Sequence, residues 1–579
     1  MPRRLPVAST TPSSTTPAGP VEVPRAAHSL TLSSGAVFGA SLATQLIGFV
    51  ASIALYKTIG LQSGGLAVLG TAQLFLLIGS SINGVGDLRL GTAYTYFLAR
   101  GKPPTENTST YLLVRMALVA AAGAVLFGLG PSAGIATGGP KLVSLGVFLT
   151  LPLLWSFSTV YNSLYIGLGN SVKAQYPSLV ETIARLPAIL IVAFYFPTIL
   201  GITAAYAIGA AVSMIYCLPG ILRLLRRFHW SEASRMFRFS WPLMGSLMLS
   251  YLVTNMVPLL VAGFLSATAL AIYLAANGWR ILALSLPSAV ATPLFPYLAG
   301  LHRKEEYEQI RRGTWQAIRF SSMLLVPGVV ALVTYRSIFL NVFQNSLVAA
   351  SGSIPLAILV LSAIPLSISQ IMQTSINSIG RQRLELYITS TQVSVLLASV
   401  LLLMPSWSPL YLGNGLIAGS IAVLASSIAA LALNTYFTET LIQVHIQPRS
   451  ILGITLSAAA GFFVMSQFNH YLSHNRFFEL AAGVVLGFVA YFAILIAIGE
   501  LTRHDVQQLG TSVGLPPWMF GWVSRLCWRR STPDLVPADL TRARGLRPTE
   551  LPETFSGNPE LPQMAQVPEE DPLPPPSPR

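Results

Sequence analysis

Charged residues inside long apolar stretches are the features of this 579-residue sequence that could do chemistry. A charge at the centre of a bilayer costs roughly 2.5–3.5 kcal/mol on insertion scales, so such residues are default candidates for function. The excess of arginine over acid favours an anionic ligand. The six residues are Arg89, Arg115, Arg185, Arg280, Asp87 and Glu181.

Arg280 is the strongest of these candidates because no acidic residue lies near it in the sequence. We expect it to face a hydrated cavity or an anionic ligand, and its planar guanidinium suits phosphate oxygens. The alternative is a structural role, in which Arg280 bonds backbone carbonyls or extends toward the membrane surface. Asn277 is a further candidate for the polar lining of such a cavity.

The other charged candidates differ in how they can be neutralised. Asp87 and Arg89 are two residues apart, so they do not face each other on a helix and are expected to pair with other helices. Glu181 and Arg185 have i,i+4 spacing in the favoured order, which predicts an ion pair that neutralises itself, with a role in the cavity as the alternative. Arg115 is expected to extend toward the membrane surface.

A row of amides supplies a second kind of candidate. Gln370, Gln373 and Asn377 share one face of a predicted helix. They could bind the hydroxyl groups of a ligand or, equally, bond neighbouring helices. Further amides in predicted spans are Gln45, Asn83 and Asn255.

Signatures of catalysis, cofactors and metals are missing from the sequence. There is no Gly-Lys-Ser/Thr phosphate loop, so the chain is not expected to hydrolyse ATP, and no predicted outer loop holds paired carboxylates. The two cysteines, Cys217 and Cys527, and the seven scattered histidines have no metal-like spacing. We therefore predict a protein that is not an enzyme and that has no cofactor or metal.

The composition places these residues in a membrane. Only 10% of the residues are Asp, Glu, Lys or Arg, against about 25% in soluble proteins. The mean hydropathy is +0.62. Since each span needs roughly 20 mostly apolar residues, we predict an all-α polytopic membrane protein with about 14 transmembrane helices. The predicted spans are 34–56, 66–97, 110–130, 142–167, 176–196, 199–223, 240–263, 268–298, 320–340, 353–378, 386–404, 412–435, 450–468 and 477–499.

The basic residues predict the orientation of these spans. With both termini in the cytoplasm, 27 of the 35 Lys and Arg fall in cytoplasmic segments. Only Lys57, Lys141, Arg336 and Arg476 fall in outer loops. The net charge of +14 therefore indicates membrane orientation and not nucleic-acid binding. We predict a multi-pass protein of the cytoplasmic (inner) membrane, in contact with membrane lipids.

Segments outside the spans are polar or basic. Residues 1–33 are predicted to be a disordered cytoplasmic N-terminus, and the Pro- and Glu-rich end of the segment 501–579 cannot bury a core. The start of that last segment is rich in Trp and Arg, which is typical of an interfacial anchor. The linker 224–239 alternates basic and apolar residues, as in a helix that lies at the interface.

The chain contains an internal repeat at the level of pattern. Residues 244–247 (Met-Gly-Ser-Leu) repeat the pattern of residues 39–42 (Gly-Ala-Ser-Leu), and each motif is followed by a span, a short outer turn and a long helix. Repeats of this size in a membrane protein favour a transporter whose site lies between two halves. Three further motifs are Trp241-Pro242-Leu243, Ile272-Tyr273-Leu274-Ala275-Ala276 and Pro293-Leu294-Phe295-Pro296.

On these motifs the chain resembles the polysaccharide transporters of the multidrug/oligosaccharidyl-lipid/polysaccharide (MOP) exporter superfamily, over about residues 33–500. The resemblance implies two six-helix bundles that face each other as a V, plus two C-terminal helices. The bundles would cover 34–223 and 240–435, and the extra helices 450–500. It also implies alternating access to a central cavity.

The resemblance implies a flippase for a lipid-linked (polyprenyl-pyrophosphate) oligosaccharide or polysaccharide precursor, as in O-antigen and lipopolysaccharide synthesis. A glycan polymerase or glycosyltransferases would be its partners. A peptidoglycan lipid-precursor flippase and a multidrug or cation antiporter of the same superfamily stay open, although spans 34–56 and 240–263 contain no acid that could bind a cation. A membrane glycan polymerase or ligase would need a sizeable outer loop, which the predicted spans do not leave.

Overall fold

The computed structural model describes residues 25–99, 103–129, 139–444, 447–471 and 476–501. The Pro-rich tail and the Trp- and Arg-rich segment before it lie outside the described residues, as does the chain before residue 25. Helix α1 begins at Arg25, inside the segment for which the sequence predicted disorder.

The described residues form helices joined by short turns. In chain order they are α1 (Arg25–Thr58), α2 (Gly65–Val85), α3 (Leu90–Ala99), α4 (Pro104–Leu129), α5 (Gly139–Gly167), α6 (Ser171–Tyr195), α7 (Ile199–Leu222), α8 (Trp230–Phe264), α9 (Ala267–Arg303), α10 (Tyr307–Thr334), α11 (Arg336–Phe343), α12 (Ser346–Ser378), α13 (Gln382–Leu403), α14 (Gly415–Ile442), α15 (Pro448–Tyr471) and α16 (Arg476–Ile498), with a 3-10 turn at Ile59–Leu61.

Fourteen of the described helices are long and apolar enough to cross a membrane, as the sequence predicted. Helices α3 and α11 are the two that are too short. The close pair α6 and α7 is separated by only the turn at 196–198, which confirms that the apolar run there is two spans. We call α1–α7 the first bundle and α8–α14 the second, and we call the end of the molecule where α1 ends the predicted outer face.

Two predicted segments differ from the structure. The span predicted over 66–97 is not one helix, because α2 ends at Val85 and α3 begins at Leu90. The linker 224–239 is not a separate interfacial helix in its second half, because α8 begins at Trp230 and runs unbroken into the span. Sequence pattern alone could not separate these cases. The segment 66–97 is long and mostly apolar, and the basic residues of 224–239 fit an interfacial helix and the first turns of a spanning helix equally well.

The helices pack around an apolar core that joins the two bundles. The largest buried cluster includes Leu55 and Leu69 from the first bundle and Leu270 and Leu356 from the second. Helices α15 and α16 pack against α10, where the Tyr335 hydroxyl after α10 donates to the Met465 carbonyl at 2.7 Å. The described helices thus pack into one body, in which each candidate residue has a fixed position along its helix.

Candidate functional site

Three charged candidates lie well inside their helices. At 1.5 Å per residue, Arg280 lies about 20 Å along α9 from Ala267. Counted the same way from Ser171, Glu181 and Arg185 lie about 15 and 21 Å along α6. The predicted orientation has α6 and α9 beginning at opposite faces. With the start of each helix taken as the edge of a hydrocarbon core about 30 Å thick, all three residues lie roughly 15 to 21 Å deep, near its middle.

Arg280 has no neutralising partner within the described part of the chain. Its residue is half-buried, and its Nε atom is buried without a hydrogen-bond acceptor. The indole N–H of the adjacent Trp279 is also buried without an acceptor. A guanidinium at this depth that lacks both a carboxylate and an acceptor is suited to an anionic ligand.

The surroundings of Arg280 place it at the junction of the two bundles. The Trp279 ring packs edge-on against Phe49 of α1, with 4.5 Å between ring centroids. On its other side it meets Phe339 of α11 at 5.0 Å. Asn277, half-buried one turn before Arg280, shares its face of α9. A ligand at Arg280 would therefore contact the boundary across which α1 and α9 meet.

Glu181 and Arg185 form the ion pair that their spacing predicted. The Arg185 guanidinium lies 3.4 Å from Glu181 Oε1, which also accepts a hydrogen bond from Trp155 Nε1 at 3.1 Å. The guanidinium carbon of Arg185 lies 4.7 Å from the centroid of the Tyr206 ring. These partners are all in the first bundle, so the geometry favours a structural pair that neutralises itself.

This pair gives a stability prediction. Replacing Glu181 by Gln should lower the free energy of unfolding by about 1–3 kcal/mol, because the Arg185 charge is left without a counter-ion in the membrane. The double substitution Glu181→Gln/Arg185→Gln should recover part of that loss, since it removes the unpaired charge. Thermal unfolding of the purified protein measures both, and a double variant no more stable than Glu181→Gln would contradict the pair's structural role.

Asp87 is held by a buried cluster near the predicted inner end of α2. Its Oδ1 atom accepts hydrogen bonds from the Tyr111 hydroxyl at 2.6 Å and from Arg115, with which it forms an ion pair. Arg115 also donates to Asn83 Oδ1 at 2.6 Å and to Thr159 Oγ1 at 3.2 Å. This cluster ties α2, α4 and α5 together.

The cluster shows that the expectation for Arg115 was wrong and that Asp87 has the partner expected for it. Arg115 does not extend to the membrane surface, since only 1% of its side chain is exposed. Asp87 pairs with another helix, as expected. Arg89 instead stays without an ion-pair partner among the described residues: its Nε atom is buried with no acceptor, and its carbonyl accepts from Ser240 Oγ at 3.1 Å.

The amide row on α12 lies at a different level from Arg280. Gln370 is about 36 Å along α12 from Ser346, toward the predicted inner face. Asn377 donates to Glu385 of α13 at 2.8 Å, which is the helix-bonding alternative. Gln370 and Gln373 are half-buried and have no side-chain hydrogen bond within the described segments, so these two stay available to a ligand.

A set of contacts that the sequence did not indicate joins the bundles at the predicted outer face, and we call it the outer latch. The Tyr56 hydroxyl donates to the Ala271 carbonyl at 2.6 Å, and Asn345 Nδ2 donates to the Tyr56 carbonyl at 3.1 Å. Lys57 Nζ donates to the Asn341 carbonyl at 2.8 Å. Each of these hydrogen bonds crosses from the first bundle to the second.

Comparisons with known proteins show which families and structures this chain resembles. Residues 32–302 match the family described as "Polysaccharide biosynthesis protein". The "Probable low-salt glycan biosynthesis flippase Agl15" of Haloferax volcanii is 22% identical over 303 residues, which are 52% of this chain and 62% of that protein. The match therefore spans less than two thirds of this relative's length.

Two solved structures share the fold. The lipid II flippase MurJ in an inward closed conformation has a TM-score of 0.65 at 13% identity, covering 79% of this chain and 97% of that one. An inward-facing multidrug resistance MATE family transporter of the MOP superfamily has a TM-score of 0.55 at 14% identity, covering 69% and 94%.

The class of protein follows from these findings together. The chain is a multi-pass membrane protein, and its fold is the one seen in the MurJ and MATE structures, as its motifs predicted. Residues 32–302, a little under half of the chain, are the part that matches the polysaccharide biosynthesis protein family. The similar proteins are flippases and transporters and not catalysts, in agreement with the prediction that the chain is not an enzyme.

Proposed function

We propose that this protein is a flippase that moves a lipid-linked oligosaccharide or polysaccharide precursor across the cytoplasmic membrane by alternating access. The observation that carries the proposal is Arg280, a guanidinium at a predicted depth near the middle of the membrane. Among the described residues it has no carboxylate partner, and its buried Nε lacks an acceptor. The pyrophosphate of a polyprenyl-linked glycan would neutralise it. The relation of residues 32–302 to polysaccharide biosynthesis proteins supports a glycan as the cargo.

Under this proposal the polar candidates have separate roles. Arg280 and Asn277 hold the pyrophosphate at the boundary of the bundles. Arg89, near the predicted inner end, is a second cationic contact, and Gln370 and Gln373 offer amides to sugar hydroxyls at that level. Because 27 of the 35 basic residues fall on the predicted inner side, the precursor would enter from the cytoplasm, where glycosyltransferases build it.

Alternating access requires the outer latch to open. The structure has the latch formed, so we take it as a state closed at the predicted outer face. Release of cargo on that side needs the hydrogen bonds from Tyr56, Lys57 and Asn345 to break. The second bundle would then separate from α1 at that face while contacts at the inner face form.

Cross-linking the latch should therefore stop transport. In a chain without Cys217 and Cys527, the pair Lys57→Cys and Asn341→Cys should react with a short bifunctional thiol reagent, because Lys57 Nζ is 2.8 Å from the Asn341 carbonyl. We expect the cross-link to lower transport by at least roughly tenfold. If the reagent contains a disulfide, a reductant should cleave the cross-link and restore transport. Each single-cysteine chain treated identically should keep its activity. Full transport by quantitatively cross-linked protein would contradict a moving latch.

The function itself is tested by the leaflet distribution of lipid-linked glycan. Cells that lack the protein should accumulate the precursor in the cytoplasmic leaflet, and the intact gene should restore its export. The peptidoglycan precursor has the same pyrophosphate chemistry, so both lipids should be followed in one experiment. Accumulation of the peptidoglycan precursor alone would favour the lipid II alternative, and accumulation of neither would reject a glycan flippase.

A further inference from the structure

The break between α2 and α3 is strained. Leu88 and Arg89 have φ angles of +46° and +62°, in the left-handed region that residues with a Cβ atom rarely adopt. No proline lies in the segment 84–91, although proline is the usual cause of a sharp helix kink. Gly84, Gly86 and Gly91 weaken a helix here, but they do not require left-handed angles at Leu88 and Arg89. Contacts from other helices therefore hold these two residues.

Helix α4 holds the break from the side of the first bundle. Asp87 Oδ2 accepts from the Gly91 backbone N–H at 3.2 Å and so caps the start of α3, while Oδ1 is bonded by Arg115. The same Arg115 donates to the carbonyl of Asn83 in the last turn of α2, at 3.0 Å. The buried Arg115 side chain thus contacts both the last turn of α2 and Asp87, which lies inside the break.

Helix α8 contacts the break from the other side. Ser240 Oγ donates to the carbonyl of Arg89, and a Cβ atom on Gly84 would overlap the Tyr251 side chain. Further along α8, Val257 lies next to Gly419 of α14, so this part of α8 packs against the rest of the second bundle. A movement of α8 with the second bundle therefore changes the contacts that surround Leu88 and Arg89.

The corresponding helix of the internal repeat is not broken. Helix α9, which follows the second copy of the motif, runs continuously over Ala267–Arg303. The apolar pattern over 66–97 likewise predicts one continuous helix. We propose that the α2–α3 break is a hinge: when α8 moves away from the first bundle, residues 86–89 become helical and α2 and α3 join into one helix. The hinge rests on the proposed alternating access but not on the identity of the cargo.

Position 88 provides a matched pair of variants. Glycine adopts left-handed angles without a steric penalty and weakens a continuous helix, so Leu88→Gly should favour the broken form. Alanine keeps the penalty and is the best helix former, so Leu88→Ala should favour the continuous form. Both remove most of the same side chain, so the packing they lose is similar.

Distances between spin labels at Thr71→Cys and Thr92→Cys, in a chain without its native cysteines, report the hinge directly. In a continuous helix these positions are about 32 Å apart, and in the broken form they are closer. For the full chain in lipid nanodiscs we expect two distances. The ratio of long to short should be on the order of tenfold higher in Leu88→Ala than in Leu88→Gly.

Transport provides the second readout. Leu88→Gly should transport several-fold more slowly than Leu88→Ala at equal protein level, because it is held in the broken form. One short distance in both variants, with equal transport, would show that the break is a fixed feature and overturn the hinge. Two distances in a protein that moves no glycan would leave the hinge standing and reject the proposed function, so the two failures are distinguishable.

Discussion

Replacing Arg115 by methionine should largely abolish accumulation of the folded protein. Only 1% of the Arg115 side chain is exposed, and it donates to Asp87, Asn83 and Thr159. Methionine fills a similar volume but leaves the Asp87 carboxylate without its cation inside the membrane. Removing one partner of a buried ion pair costs about 3–5 kcal/mol, which is a large fraction of the stability of most folded domains.

The measurement is the amount of protein in the membrane fraction together with its thermal unfolding temperature. Arg312→Met is the matched control, because 63% of the Arg312 side chain is exposed and its ion pair with Glu308 should contribute little. The double variant Arg115→Met/Asp87→Asn should recover part of the protein, since the unpaired charge is gone. Normal levels of Arg115→Met would show that the cluster is not a stabilising element.

The number of spans could be predicted from sequence because it depends only on the length of apolar runs. The break after Val85 could not, because no proline marks it and tertiary contacts from Arg115 and Ser240 hold it. The start of α8 at Trp230 was missed for a related reason. Basic residues in 224–239 are typical of an interfacial helix, but they are equally compatible with the first turns of a long spanning helix.

The candidate site was predictable where the interaction is local along the chain. The Glu181–Arg185 pair follows from i,i+4 spacing. Arg115 was misjudged because the predicted span began at residue 110, whereas α4 begins at Pro104 and places Arg115 about three turns inside the helix.

The outer latch left no signal in the sequence. Its acceptors are backbone carbonyls of Ala271, Asn341 and Tyr56, which every residue type possesses. Its donors are ordinary polar side chains near span ends, where such residues are common. Contacts of this kind depend on which helices become neighbours across the two bundles, so they follow from the fold and not from spacing.

Replacing Arg280 by glutamine should abolish glycan transport while the protein still inserts and accumulates. The side chain has no ion pair within the described residues, so glutamine removes a charge without leaving a partner unpaired. If the substrate's pyrophosphate is the missing partner, its passage through the middle of the membrane loses the positive charge of Arg280. One charge-assisted contact of about 1.5–3 kcal/mol corresponds to a loss of roughly 10- to 150-fold in transport.

Lysine at the same position separates charge from shape. Arg280→Lys keeps the positive charge but loses the planar fork that bonds two phosphate oxygens at once, so partial transport should remain. Arg336→Gln is the control, because Arg336 is exposed on α11 and should tolerate the change.

A structural Arg280 would give a different pattern, in which glutamine lowers the amount or the unfolding temperature of the protein and transport falls only in proportion. Full export by Arg280→Gln at the wild-type level would remove this residue from the site, and with it the main support for an anionic lipid-linked cargo.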